Sequence, residues 1–244
     1  MRLYHAIHIR ALPADQLEEF VNDWLSQRYK EYYAHELWRG TGDMGRDVTG
    51  YVTAQRMEGQ WDNYQCKQLS VLLAETTAFV EPGKIFMHSA AAAYSLPRRY
   101  YFVAPMGVAR SVQQLIAHPE RFRQAFLDRW DKDVARRLVQ NQTVPLSPEI
   151  EARIRAFDFS QLFWFDAVQV VNDPAAMPVL VKWFGQDPGP FKRREVPEHV
   201  QPGESVYIGQ LLKLYEEKGP GTYPDAVAAL ASTEYGIHLR DQRT

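Results

Sequence analysis

The chain has 244 residues, 45% of them hydrophobic and 24% charged, the usage of an ordinary globular protein, which excludes disordered, collagenous and coiled-coil classes. Its formal net charge is −2 and its pI is near 6.4, so no global attraction to nucleic acid or membrane is expected. The one cysteine, Cys66, excludes an intrachain disulfide and a cysteine-built zinc site. The longest apolar runs fall short of the ~20 residues of a membrane-crossing helix. The N-terminus lacks the pattern of an export signal, and a cytoplasmic protein is expected.

In chain order, the first periodic segment follows Asp15, which can cap a helix. Leu17, Phe20, Val21, Trp24, Leu25, Tyr29 and Tyr32 trace one face at the 3.6-residue period. Glu19, Asn22, Asp23, Ser26, Lys30 and Glu31 lie opposite, and the pattern decays at Trp38-Arg39-Gly40. A glycine-spaced loop over 40–47 leads into a β-prone stretch over 48–54. Turn residues at Glu58-Gly59-Gln60 precede a second extended segment over 61–69, predicting an antiparallel hairpin.

An alanine-rich helix is expected over 89–94, closed by Pro97, and a buried strand over 99–104. Helices are expected over 111–116, 119–138 and 148–156, then an apolar strand over 162–171 and a helix over 174–184. These elements predict an α/β domain over 1–184, with a central mixed sheet flanked by helices. The Pro-, Gly- and charge-rich segment 185–204 reads as a linker or surface loop. Residues 205–244 read as a helical extension, with helices over 205–218 and 224–231, and as the expected start of a further C-terminal domain.

Asp47 stands at a strand start, and Gln65-Cys66-Lys67 lies on the next strand. Alternation puts Gln65 and Lys67 on one face, where an acidic side chain of the neighbouring strand can meet them. A carboxylate, a second oxygen ligand and a lysine suit a hard cation such as Mg²⁺, beside an ammonium that orients water and neutralises a phosphate. Taken singly, Asp47 reads as a strand-start residue, Asp43 as an Asx-turn residue and Lys67 as a solvated lysine. Cys66 and Tyr64 alternate with the pair and are expected in the core. None of His5, His8, His35, His88, His118, His199 and His238 shows metal-ligand spacing.

The segments Gly42-Asp43-Met44-Gly45-Arg46-Asp47-Val48 and Tyr64-Gln65-Cys66-Lys67 resemble the G-D-x-G-x-D and Q-C-K segments of the PD-(D/E)XK nucleases. The likeness is to the Mrr-like restriction endonucleases that carry glutamine at the second acidic position. Leu17-Glu18-Glu19-Phe20-Val21 is similar to that family's opening helix. The resemblance covers roughly residues 10 to 105. It implies a restriction-endonuclease-like core with a C-terminal α/β and helical extension, and Mg²⁺- or Mn²⁺-dependent hydrolysis of double-stranded DNA. It assigns Asp47, Gln65 and Glu18 to the metal and adds Lys67 to the catalytic set, with Glu19 or Glu36 as alternatives to Glu18. Later residues resemble bacterial antiphage effector nucleases of the CBASS and Lamassu type, implying partner subunits of a defence system.

DNA contacts are expected from Arg39, Arg46, Arg98 and Arg99, with Lys192-Arg193-Arg194 a weaker candidate. Near-neutral charge makes a homo-oligomer the expected active form. A catalytically silent nuclease-fold module for DNA binding or scaffolding is the alternative. A small-anion site on the glycine loop is weaker, because no dinucleotide or P-loop motif is present.

Overall fold

The computed structural model describes residues 2–40 and 42–186, together with Gln210, Lys213 and Glu217, which are helical and exposed. The chain divides into two units, Met1–Asp187 and Pro188–Thr244; the fold and site below belong to the first. The expected linker, except Gly185 and Gln186, the rest of the helical extension and the Lys192-Arg193-Arg194 cluster lie outside the described residues. Among the described residues no helix is long and apolar enough to cross a membrane.

A five-stranded mixed sheet runs in sequence order: β1 (Ala34–Leu37), β2 (Val48–Tyr51), β3 (Trp61–Cys66), β4 (Arg99–Val103) and β5 (Leu162–Phe165). The first three strands are antiparallel neighbours, whereas β4 and β5 add in parallel. The expected hairpin is β2–β3, with Val48 opposite Tyr64 and Tyr51 opposite Trp61. The helix before it, α2 (Ala14–Ser26), is shorter than the aromatic periodicity suggests. Tyr32 lies beyond it and is buried where a Cβ on Gly50 would come within 2.7 Å of its ring. The sequence pattern therefore concealed β1, whose four residues are all half-buried and show no alternation.

Parallel pairing requires crossovers, which helices provide. Between β3 and β4 runs α3 (Glu75–Ala90), much longer than the expected segment over 89–94. Glu81-Pro82-Gly83 looks like a breaker, yet the helix continues through it. A Cβ at Gly83 would lie 2.7 Å from Val134 Cγ1, so glycine permits close packing there. Between β4 and β5 come α4 (Arg110–Ala117), α5 (Pro119–Arg129) and α6 (Pro148–Ala156). The expected helix over 119–138 is interrupted after Arg129 by a π-helical turn, Trp130–Val134, in which Ala135 N–H donates to Trp130 O.

The apolar run over 162–171 is not one strand. It divides at Asp166, whose carboxylate accepts the Gln169 N–H at 2.7 Å while the Gln169 side chain accepts the Asp166 N–H at 2.8 Å. This reciprocal cap starts α7 (Ala167–Asn172), followed by α8 (Met177–Phe184).

Each sheet face has its own core. Trp61, Phe79, Phe86, Phe102, Phe126 and Trp130 pack beneath the helices α3 to α6. Phe20, Trp24, Val48, Tyr64, Cys66 and Val170 pack on the other face with α1 (Arg2–Ala11), α2, α7 and α8. All six residues of β3 are buried, so its polar members depend on partners inside the protein, which Asp62 and Gln65 find and Asn63 does not.

Asp62 illustrates this requirement. Fully buried, it accepts Arg98 Nε at 2.9 Å and Arg98 Nη2 at 2.6 Å, and the Tyr32 hydroxyl at 2.8 Å. Glu31 pairs with Arg98 and Arg99 at the rim. Removing the guanidinium would leave a buried carboxylate uncompensated, so Arg98→Ala should destabilise the fold by about 3 kcal/mol in denaturant unfolding. A loss below about 1 kcal/mol would mean that the pair behaves as a surface contact.

Candidate functional site

Asp47 immediately precedes β2, and continuing the register one step past Val48 and Tyr64 sets it opposite Gln65. Its Oδ2 accepts the Gln65 Nε2–H at 2.6 Å and the Cys66 backbone N–H at 2.7 Å. Its carbonyl accepts the Trp38 N–H at 2.8 Å, tying the residue to the end of β1. Among the described residues no hydrogen bond reaches Asp47 Oδ1.

The preceding loop is built for this placement. Gly40, Met44 and Gly45 have positive φ, a conformation that favours glycine. Asp43 Oδ1 accepts the Gly45 N–H at 2.9 Å, the Asx turn expected from sequence. Arg46 Cζ lies 3.9 Å from the Trp38 ring centroid and 4.8 Å from that of Tyr94, while Nε donates to Asp43 O at 2.8 Å. The Tyr94 hydroxyl donates to Met44 O at 2.7 Å. Arg46 therefore holds the loop from within, 5% exposed. The expectation that it faces DNA gives way to an aromatic sandwich.

Lys67 extends the parallel ladder beyond β3, its N–H donating to Val103 O at 2.8 Å. Its Nζ lies 3.2 Å from Glu81 Oε1, and Lys84 Nζ donates to Glu81 Oε2 at 2.9 Å. Glu81 is a buried carboxylate on α3 that the sequence reading missed. Its place in an i, i+3 pair with Lys84 was the available signal, but that spacing is common on any helix. Lys84 also abuts the loop, since a Cβ on Gly45 would lie 2.8 Å from Lys84 Cβ.

The remaining sequence candidates divide. Glu18 is half-buried on α2. Burial raises its carboxyl above the ordinary range and the field of Asp43 adds to this, while Lys67 and Arg39 oppose it. Glu18 therefore shares the electrostatic neighbourhood of Asp47 and Lys67. Glu19 instead pairs with Arg39. Glu36 accepts the Tyr51 hydroxyl at 2.6 Å and lies 3.9 Å from Arg56. Arg98 and Arg99 are engaged by Asp62 and Glu31. Cys66 is buried in the core facing α2, as expected, and burial pushes its thiol up.

Burial also pushes the Asp47 carboxyl up to about 7, Glu18 and Glu81 adding to the effect against the pull of Lys67 and the Cys66 N–H. Desolvation thus outweighs the pull of Lys67, leaving a carboxyl that gains and loses its proton near neutrality. No family model, curated protein or solved structure matches this chain.

The raised Asp47 value has a thermodynamic consequence. The native state holds a proton that the unfolded chain releases near its ordinary value of 3.8, so stability falls as pH rises from about 4 to about 7 and then levels. Asp47→Asn keeps a carbonyl acceptor and removes the titration. Without divalent ions, its thermal midpoint should match the wild type near pH 4 and exceed it by several degrees above about pH 7. A pH-independent difference would show that Asp47 is ionised throughout.

Proposed function

We propose that this chain contains a metal-dependent DNA endonuclease domain of the PD-(D/E)XK type. The observation carrying the reading is the meeting of Asp47, Gln65 and Lys67 on one face of the hairpin end, with Glu18 in the same field. The order α2, β1, β2, β3, α3, β4 supports a restriction-endonuclease-like core as the finer description of the α/β sheet.

The oxygen donors the site offers a hard divalent ion are the Asp47 and Glu18 carboxylates, and no group of three or more ligating His, Cys, Asp or Glu side chains gathers among the described residues. Asp47 Oδ1 has no hydrogen bond among the described residues, and the Glu18 carboxylate acts on Asp47 as a second oxygen-bearing group. When bound, Mg²⁺ or Mn²⁺ supplies Lewis acidity and a water acidic enough to attack a phosphodiester. The protein's part is to hold Asp47 through two N–H donors and to fix the Lys67 ammonium by Glu81. There Lys67 can neutralise charge on the scissile phosphate and orient the attacking water.

Most of the candidate DNA-contacting arginines serve the protein itself. Of the four, Arg39 is the most exposed, at 64% of its side chain, and it pairs with Glu19. Weak monomer affinity for double-stranded DNA follows, and two or more copies would combine phosphate contacts. We assign the domain to a cytoplasmic antiphage effector whose partner subunits promote this assembly.

Plasmid cleavage tests the reading. The wild type should nick and linearise DNA with Mg²⁺ or Mn²⁺ and stop on chelation. Asp47→Ala and Lys67→Ala should each lose at least about 100-fold in rate while retaining cooperative unfolding. Undiminished cleavage by either variant would contradict the assignment.

A further inference from the structure

Gln65 stands where the resemblance implies a metal ligand, yet its amide is turned the other way. Ligation requires the oxygen, since the NH₂ group has no lone pair for a cation. Nε2 faces Asp47 Oδ2 at 2.6 Å, while Oε1 is on the side of Tyr100, whose hydroxyl donates to it at 3.4 Å. The network supports this orientation. Asp47 Oδ2 already accepts the Cys66 N–H and is an acceptor in both contacts. Tyr100 is fully buried on β4, two strand positions before Phe102, which is Gln65's register partner. Its phenol can donate only to a neighbouring acceptor. Asn63, on the same face of β3, is buried with neither amide atom in a hydrogen bond. Gln65 Oε1, at 3.4 Å, is the acceptor within hydrogen-bond distance of the Tyr100 hydroxyl.

We infer that Gln65 is a positioning residue rather than a metal ligand: Tyr100 sets the sense of its amide, and the amide NH₂ holds Asp47 so that Oδ1 faces the cation. This inference rests on the proposed nuclease function for its metal, but the lock from Tyr100 to Gln65 to Asp47 exists without one. Outer partners of a ligating carboxylate orient it, and their removal weakens metal affinity by about tenfold or more. If the glutamine were itself a ligand, replacing it by glutamate would add a negative oxygen and strengthen binding. In a positioning role, glutamate removes the donor and sets a second carboxylate against Asp47, weakening it.

The test uses the ¹⁵N-labelled full chain and two readouts. Without metal, one side-chain amide pair should carry a downfield, slowly exchanging proton. It should be absent from Gln65→Met and shifted upfield in Asp47→Ala, and it should exchange several-fold faster in Tyr100→Phe, which removes one oxygen and is checked for folding by thermal melting. With Mn²⁺, affinity measured by electron paramagnetic resonance should fall about tenfold in Tyr100→Phe and Gln65→Met, and should not rise in Gln65→Glu. Mg²⁺ should leave the downfield proton in place. Tighter Mn²⁺ binding by Gln65→Glu, or loss of the downfield proton on adding Mg²⁺, would make Gln65 a ligand and overturn the inference. An unshifted amide in Asp47→Ala would overturn the lock itself. A wild type that shows the downfield proton and its sensitivity to Tyr100→Phe, yet takes up no Mn²⁺, would uphold the lock and overturn the nuclease reading.

Discussion

The site is arranged around a carboxylate buried at the end of a hairpin, where loss of water resists its ionisation. Asp47 is 7% exposed and held by two N–H donors on one oxygen. Such a group costs stability when ionised and is retained where the folded protein needs it. Sheet register explains why it can be held there at all. With Val48 opposite Tyr64, the residue before β2 must face Gln65, and a slip by one position would turn Asp47 toward the α2 core.

The cations illustrate a division of labour. Arg46 is spent on the loop between Trp38 and Tyr94, and Arg98 on the buried Asp62. Both stabilise the frame around the site rather than present charge to solvent. Lys67 and Lys84 share the two oxygens of Glu81, so the ammonium nearest Asp47 is fixed by a buried carboxylate.

The hairpin and its polar pair were legible because strand alternation is local: Gln65 and Lys67 are two apart, and Asp47 follows a glycine loop. Other features depend on contacts distant in sequence. β1 was hidden because aromatic residues continue the helical spacing after Ser26, although Tyr32 is buried against Gly50 rather than on the helix. The single strand expected over 162–171 runs past Asp166 because the residues around it are apolar, while the pairing of Asp166 with Gln169 makes it a helix cap. The alanine-rich signal over 89–94 marks only the end of α3, which continues through Pro82-Gly83 because close packing against Val134 suits a glycine there. Glu81 could not be found from strand spacing because it reaches Lys67 from a helix on the same sheet face. The orientation of the Gln65 amide was equally invisible, since it depends on Tyr100 from the next strand.

Under the proposed function, Asp47 exchanges its proton for a divalent cation beside Lys67. An anomalous difference map from crystals grown with Mn²⁺ tests it most directly. A peak is expected about 2 Å from Asp47 Oδ1, with the Lys67 ammonium outside the coordination shell and the Gln65 NH₂ still directed at Oδ2. At saturating Mn²⁺, a map with no peak at Asp47 would contradict it.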